Sequence, residues 1–384
     1  MNLVPEIAGC SADLAGIRRD LHAHPEIGFE ERRTSDLVAR LLTGWGVEVH
    51  RGLGTTGVVG VIRGNRPGRR VGLRADMDAL PMTEATGLPH ASRNPGVFHG
   101  CGHDGHTTML LGAGRYLAQT RRFPGEVVLI FQPAEEGLGG ARRMLADGLF
   151  DRFPCDEIYA IHNWPGAPLG RVSLKPGVAM AASDSFDIVV TGKGSHGAQP
   201  HLATDPVMAA VSIAQALQTI VSRNVDPLRT AIVSVTQVHA GSAYNVIPDT
   251  ARIGGTIRTF DEDVRALVRS RMTALAQAIA SGFGAKADID IRDCFSVLRN
   301  SDAQAEAAMA VARDLVGPLA ELDGEPKCGS EDFADMLAVV PGAYLLVGQG
   351  DGANLHSPRY DFNDDVTPIG ASLLARIAEH RTAA

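Results

Sequence analysis

The strongest constraint on the fold is a change of rhythm along the chain. In the first half, short apolar runs alternate with helical spacing: the runs fall at 57–62, 71–75, 127–131 and 158–161, and the helical segments at 14–21, 34–42 and 104–120. Strands that are apolar on both faces and separated by helices predict a largely parallel sheet flanked by helices, an α/β fold. Near residue 183 the order changes. A strand at 185–194 is followed by a helix at 206–223, strands at 230–239 and 251–258, a helix at 261–282 and a strand at 287–292. That order is βαββαβ, the ferredoxin-like arrangement. From about residue 296 the first rhythm returns, with a helix at 303–316, a strand at 343–347 and a helix at 368–378. The expected organisation is a discontinuous domain, 1–182 with 296–384, interrupted by an inserted domain at 183–295.

Composition narrows the function. A net charge of -8 and only 5% aromatic residues argue against a nucleic-acid partner, which wants a basic face or stacking rings. No apolar run is long enough for a membrane span, and the N-terminus has neither a basic start nor an apolar core of signal-peptide type. The cysteines stand at 10, 101, 155, 294 and 328, an odd number without a CxxC pair. A reducing, cytoplasmic setting is therefore expected, without a disulfide framework.

Four segments carry metal-ligand chemistry. The densest is HGCGHDGH at 99–106, in which Cys101 and His103 are separated by one glycine, just before a helix expected at 107–117. In extended backbone such a pair points the same way. A thiolate with an imidazole suits Zn, Mn, Co or Ni and argues against Mg or Ca. FQPAEEG at 131–137 follows an expected strand, so Glu135 and Glu136 fall at a strand's carboxyl end, where open α/β sheets bind ligands. One carboxylate there can hold a metal while its neighbour acts as general base toward water. His162 in AIHNWP closes another strand, and His356 in NLHSPRYDF follows a third. Either histidine alone is weak. Together, Cys101, His103, Glu136, His162 and His356 form a mixed, dispersed donor set, unlike the compact Cys-rich set of a structural zinc site. In the inserted domain, His196, Asn245 and Arg258 are candidate substrate contacts. An arginine can clamp a carboxylate, and histidine or asparagine can donate to an oxyanion, but spacing alone also allows Arg258 to be an ordinary surface ion pair.

The motifs taken together resemble the metallopeptidase family that includes hippurate hydrolase, bacterial N-acyl-amino-acid amidohydrolases and plant auxin-conjugate hydrolases. The matching segments include DLHAHPEIGFEE, LRADMDALPMTE, HGCGHDGHTTMLLGA, FQPAEEG, HNWP, GSHGAQPH, NVIPD, GTIRTF, SEDF and LHSP, in order along nearly the whole chain. The resemblance implies a metallo-exopeptidase-like catalytic domain with two divalent metal ions per subunit, and an inserted lid through which subunits form a dimer or a tetramer. It implies that Cys101 bridges the metals, that His103, Glu136, His162 and His356 complete their shells, and that Glu135 is the general base. It further implies that His196 reaches the partner subunit's site and that Asn245 and Arg258 touch a small N-acyl amino acid. Asp76 and Asp78 lie where more distant relatives have His-x-Asp, so Asp78 is placed behind the ligands at most. Cys328 and Gly329 depart from the family pattern before SED, and His201 receives no role. The activity so implied is hydrolysis of an amide by metal-assisted attack of water. The alternatives are a dipeptidase or carboxypeptidase on the same scaffold, or a metal-binding homologue without catalysis.

Overall fold

The computed structural model describes residues 1–383. Two compact units emerge, one built from Met1–Ala179, Arg299–Pro326 and Asp332–Ala384, the other from Met180–Leu298 and Lys327–Glu331.

The first unit is an eight-stranded mixed sheet flanked by helices. Its strands run in the order Glu48–Leu53, Gly57–Arg63, Glu126–Gln132, Arg70–Asp76, Glu157–Trp164, Gly342–Gly348, Val172–Leu174 and Ala320–Leu322. The four central strands, Glu126–Gln132 to Gly342–Gly348 in that order, are mutually parallel. They are also almost wholly buried, which is why their sequences are continuous apolar runs without alternation. The antiparallel strand Glu48–Leu53 carries no such run, being an edge strand with Glu48 and Arg51 exposed.

Parallel strands end at the same rim. Asp76, Gln132, Trp164 and Gly348 therefore mark one edge of the sheet, and the loops that follow them meet there. Helix His103–Thr120 is buried along nearly its whole length. It packs against the C-terminal helix Thr367–Arg381, Leu110, Leu111 and Ala113 sharing a core with Ala371, Leu373 and Leu374. The helix starts one residue before the 104–120 spacing and four before the 107–117 segment expected after the motif. Gly102, at φ 90°, serves as its N-cap, so His103, Asp104 and His106 lie in its first turn rather than in a preceding loop.

The second unit is a four-stranded antiparallel sheet with two helices. Its strands are ordered Ala231–Ala240, Thr250–Thr259, Ala182–Thr191, Lys286–Phe295. With helices Pro206–Arg223 and Glu262–Gly282, the chain order is βαββαβ. Asp205 and Asp261 cap these helices, each accepting from two backbone N–H groups of the first turn. Phe186, Ile188 and Val190 alternate inward along the central strand and pack with Ile213, Leu217, Val268 and Met272. Among the described residues, no helix is long and apolar enough to cross a membrane.

Candidate metal centre and active site

The rim of the first unit's sheet gathers the dispersed donors. Cys101, His103 and His162 have donor atoms within 4.8 Å of one another, and so do Cys101, Glu136 and His356. Cys101 belongs to both groups. His103, Glu135 and Glu136 make a further cluster of the same kind. All five expected ligands and the expected base thus come together from four separate segments of the chain.

His162 and His103 are each oriented by a contact of Nδ1. His162 Nδ1 donates to the backbone oxygen of Asn163 at 2.7 Å, which leaves Nε2 as a lone-pair donor 3.4 Å from Cys101 Sγ. His103 Nδ1 lies 3.2 Å from Asp78 Oδ1, while its Nε2 is buried without a hydrogen-bond partner. That Nε2 stands 3.9 Å from the carboxylates of both Glu135 and Glu136. Asp78 has a second contact, accepting the backbone N–H of Glu136 at 2.9 Å. It therefore holds a candidate ligand histidine and a candidate ligand carboxylate in one register, the arrangement usual behind a metal-binding imidazole.

Two strained residues complete the geometry. Ala134, just before the Glu135–Glu136 pair, has φ 55°, and His356 has φ 63°. Left-handed backbone at non-glycine residues persists only where surrounding contacts dictate it. For His356 one such contact is its N–H, donating to Gly100 O at 2.8 Å. Cys101 and His103 converge through the left-handed Gly102 and not through extended alternation, which corrects the expected local geometry while keeping both residues at the site. A Cβ at Gly102 would stand 2.5 Å from Asn163 Oδ1 and 2.6 Å from the Tyr360 hydroxyl.

The electrostatics suit a cation. Burial pushes the Cys101 thiol up, and the nearby Glu136 adds to this. His356 is raised to about 10, chiefly by its contacts with Cys101 and Glu136. Burial disfavours charge on His103, but Asp76 and Cys101 outweigh it and hold this imidazole protonated. His162 is driven the other way by burial and by the neighbouring His106. In the protein alone, protons are thus retained on a thiol and imidazoles facing carboxylates. A divalent cation replaces such protons on deprotonated donors. The buried, partnerless His103 Nε2 and the mixed S, N and O set fit that role, with imidazole and thiolate favouring a transition metal or zinc.

Several supporting residues escape a reading by sequence. His106 bridges Asp76 Oδ1 and Asn163 Oδ1, both at 2.7 Å. Asn163 in turn donates to Gln349 and to the Tyr360 hydroxyl. Beneath them Arg74, 1% exposed, binds Asp76 at 2.7 Å, Gln132 at 2.8 Å and Asp332 at 3.0 Å. His22 Nδ1 lies 2.8 Å from Asp104 and is raised to about 9, since Asp104 outweighs its desolvation. The available signals were the three-residue spacing of His103 and His106 on a helix and the alternate spacing of Asp76 and Asp78 at a strand end. His99 is also buried, and burial lowers it to about 4.

The three candidate substrate contacts lie in the second unit. His196 is in the short strand Ser195–His196, which pairs with Val246–Ile247, and the Gly197 N–H donates to Asn245 O at 2.7 Å. His196 and Asn245 are therefore neighbours, both exposed. His196 Nδ1 accepts from Ala198 N–H at 3.0 Å, so its Nε2 carries the proton and can donate outward. Arg258 lies in strand Thr250–Thr259, half-buried, with Nη1 buried and without a hydrogen-bond partner. Desolvation lowers its pKa, an effect that Cys294, Asp184 and Cys328 oppose. His201 sits exposed in the turn Pro200–Leu202.

With this geometry in hand, comparisons with known proteins agree on one family. Residues 72–380 match the model of peptidase family M20/M25/M40. Hippurate hydrolase of Campylobacter jejuni is 42% identical over 98% of this chain and 99% of its own length. N-acetyl-L-cysteine deacetylase of Bacillus subtilis is 41% identical over 94% of this chain and 85% of its own. Among solved structures, the Bacillus subtilis YxeP protein, described as a dinuclear metal-binding peptidase of family M20, superposes with a TM-score of 0.84. It is 34% identical and covers 98% of this chain and 99% of its own. A metal-ligand rim on a parallel sheet and a match running through nearly the whole chain lead to one assignment: the protein belongs to peptidase family M20/M25/M40.

Proposed function

We infer that this protein hydrolyses the amide bond of N-acyl amino acids, using two divalent cations held by Cys101, His103, Glu136, His162 and His356. The observation that carries this reading is the sharing of Cys101 between two donor groups, with the additional carboxylate of Glu135 beside them. A site that only stored metal has no use for that extra base. The names of the relatives supply the substrate class.

When bound, the cations supply Lewis acidity, which polarises an amide carbonyl and acidifies water. The remaining work belongs to the protein. Glu135, buried and adjacent to a ligand, takes the proton from the attacking water and passes it to the leaving amine nitrogen. The outward-facing Nε2–H of His196 donates to the developing oxyanion, acting in the partner subunit's site. Asn245 contacts the substrate, and Arg258, with its free buried donor, holds the amino-acid carboxylate. Assembly as a dimer, or a pair of dimers, through the second unit is supported by its open edge. Strand Ala231–Ala240 ends the sheet, with Val238 and the nearby Tyr244 and Val246 exposed. A cytoplasmic setting is supported by five free cysteines.

The test is amino-acid release from a panel of N-acyl amino acids and dipeptides after stripping with chelator and restoring Mn, Zn, Co or Ni one at a time. Cleavage of N-acyl amino acids only after metal returns is the expected result. Glu135→Gln should retain metal and lose turnover by a factor of about 10² or more; near-normal turnover would refute the assignment of the base. The family's description as peptidases makes dipeptide cleavage at the same site the second reading, and the panel separates the two.

A further inference from the structure

Behind the turn that presents Glu135 lies a carboxylate with no part in this scheme. Glu31 immediately precedes helix Arg32–Gly44 and is completely buried. Its Oε1 accepts the backbone N–H of Ala134 at 2.8 Å, and its Oε2 accepts the Thr56 hydroxyl at 2.5 Å. Ala134 is the left-handed residue of the turn, with φ 55°, a conformation unfavourable for any residue with a Cβ. Gly28 presses on the same residue: a Cβ there would stand 2.9 Å from both Cα and Cβ of Ala134. Segment 28–31 thus holds Ala134 by a hydrogen bond and by close contact. The next residue is the general base.

We propose that Glu31 is a positioning residue for the hydrolysis, fixing through the Ala134 N–H the left-handed turn that aims the Glu135 carboxylate. The inference rests on the reading of Glu135 as the base. The adjacent Glu136 has an anchor of its own, its N–H donating to Asp78 Oδ2 at 2.9 Å. Loosening Ala134 therefore falls on Glu135 and spares the metal ligand. The required property is an acceptor of the right shape. Burial raises the Glu31 carboxyl to about 7, against its hydrogen bonds with Thr56 and Ala134. A glutamine can reproduce both contacts, its Oε1 accepting from Ala134 and its Nε2 donating to Thr56.

The experiment compares metal-loaded, full-length Glu31→Ala, Glu31→Gln, Gly28→Ala and Glu135→Gln, measuring kcat, KM and metal per chain with the best N-acyl amino acid of the panel. Expected for Glu31→Ala is a fall in kcat of about 10–100-fold, with KM and metal content unchanged. Glu31→Gln should stay within about threefold of the parent, and Gly28→Ala should lower kcat in the same selective way. Parent-like kcat in Glu31→Ala overturns the proposal, as does equal damage in Glu31→Gln or a loss confined to KM or metal content. If Glu31→Ala does not fold, Gly28→Ala decides, and a parent-like kcat there overturns the proposal. Should Glu135→Gln stay active, the base assignment itself fails and the proposal falls with it. Should Glu135→Gln be inactive while Glu31→Ala matches the parent, only the proposal fails.

Discussion

Replacing Gly102 by alanine tests whether backbone conformation, as much as ligand identity, assembles the metal centre. Gly102 lies between Cys101 and His103 at φ 90°. An alanine in left-handed backbone costs about 1–2 kcal/mol. The new methyl group would also stand 2.5 Å from Asn163 Oδ1 and 2.6 Å from the Tyr360 hydroxyl, closer than real Cβ contacts allow. Neither neighbour moves freely. Asn163 binds His106 at 2.7 Å and donates to Tyr360 at 2.7 Å, and both Asn163 and Tyr360 are completely buried. Displacing one buried hydrogen bond adds about 1–3 kcal/mol. The sum is about 2–5 kcal/mol, a fall in melting temperature of about 4–20 °C for a domain of this size. Thermal unfolding in excess chelator reads this cost without the stabilisation that metal adds. A parallel metal titration should show weakened binding, because the strain sits between the two candidate ligands Cys101 and His103. A melting temperature within about 1 °C of the parent, with parent-like metal binding, would show that the loop accepts another backbone conformation and that the argument from Gly102 is wrong.

Other consequences can be checked as directly. Asp78→Ala frees His103 Nδ1 and the Glu136 N–H together, so metal affinity should fall about 10–100-fold by competition with a chromophoric chelator; unchanged affinity would remove Asp78 from the supporting set. Glu157, far from the metals at the opposite end of its strand, is held near 2 despite desolvation by Arg381, Tyr159 and Gln304. Its folded pKa is depressed, so its contribution is present above the unfolded value of about 4.5 and is lost as pH falls toward 2. Between those values the Glu157→Gln variant should lose less stability than the parent, measured by denaturant melts at each pH; parallel curves would contradict the shift. Arg258→Ala should raise KM at least about tenfold for substrates with a free carboxylate and leave their amidated counterparts nearly unaffected. Equal effects on both would show that the arginine does not read the carboxylate.

Much of this was legible in the sequence. The continuous apolar runs 127–131, 158–161 and 343–347 read as interior strands, and those strands fall in the parallel centre of the first unit's sheet, with Arg70–Asp76 between the first two. Cys101, His103, Glu136, His162 and His356 could be nominated because open α/β sheets bind ligands at strand ends, and the structure brings these residues together at that rim. The sequence also placed Glu135 next to the candidate ligand Glu136, which suffices to nominate a base. Local periodicity could not supply relations between distant segments. That Asp78 holds both His103 and Glu136, that His106 bridges Asp76 and Asn163, and that Glu31 reaches across to Ala134 depend on contacts between loops 25 to 103 residues apart. The chain's local pattern states which residue types stand at the rim. Only the parallel sheet, by bringing its strand ends to one edge, decides which of them face one another, and the left-handed backbone at Gly102, Ala134 and His356 decides where each side chain points.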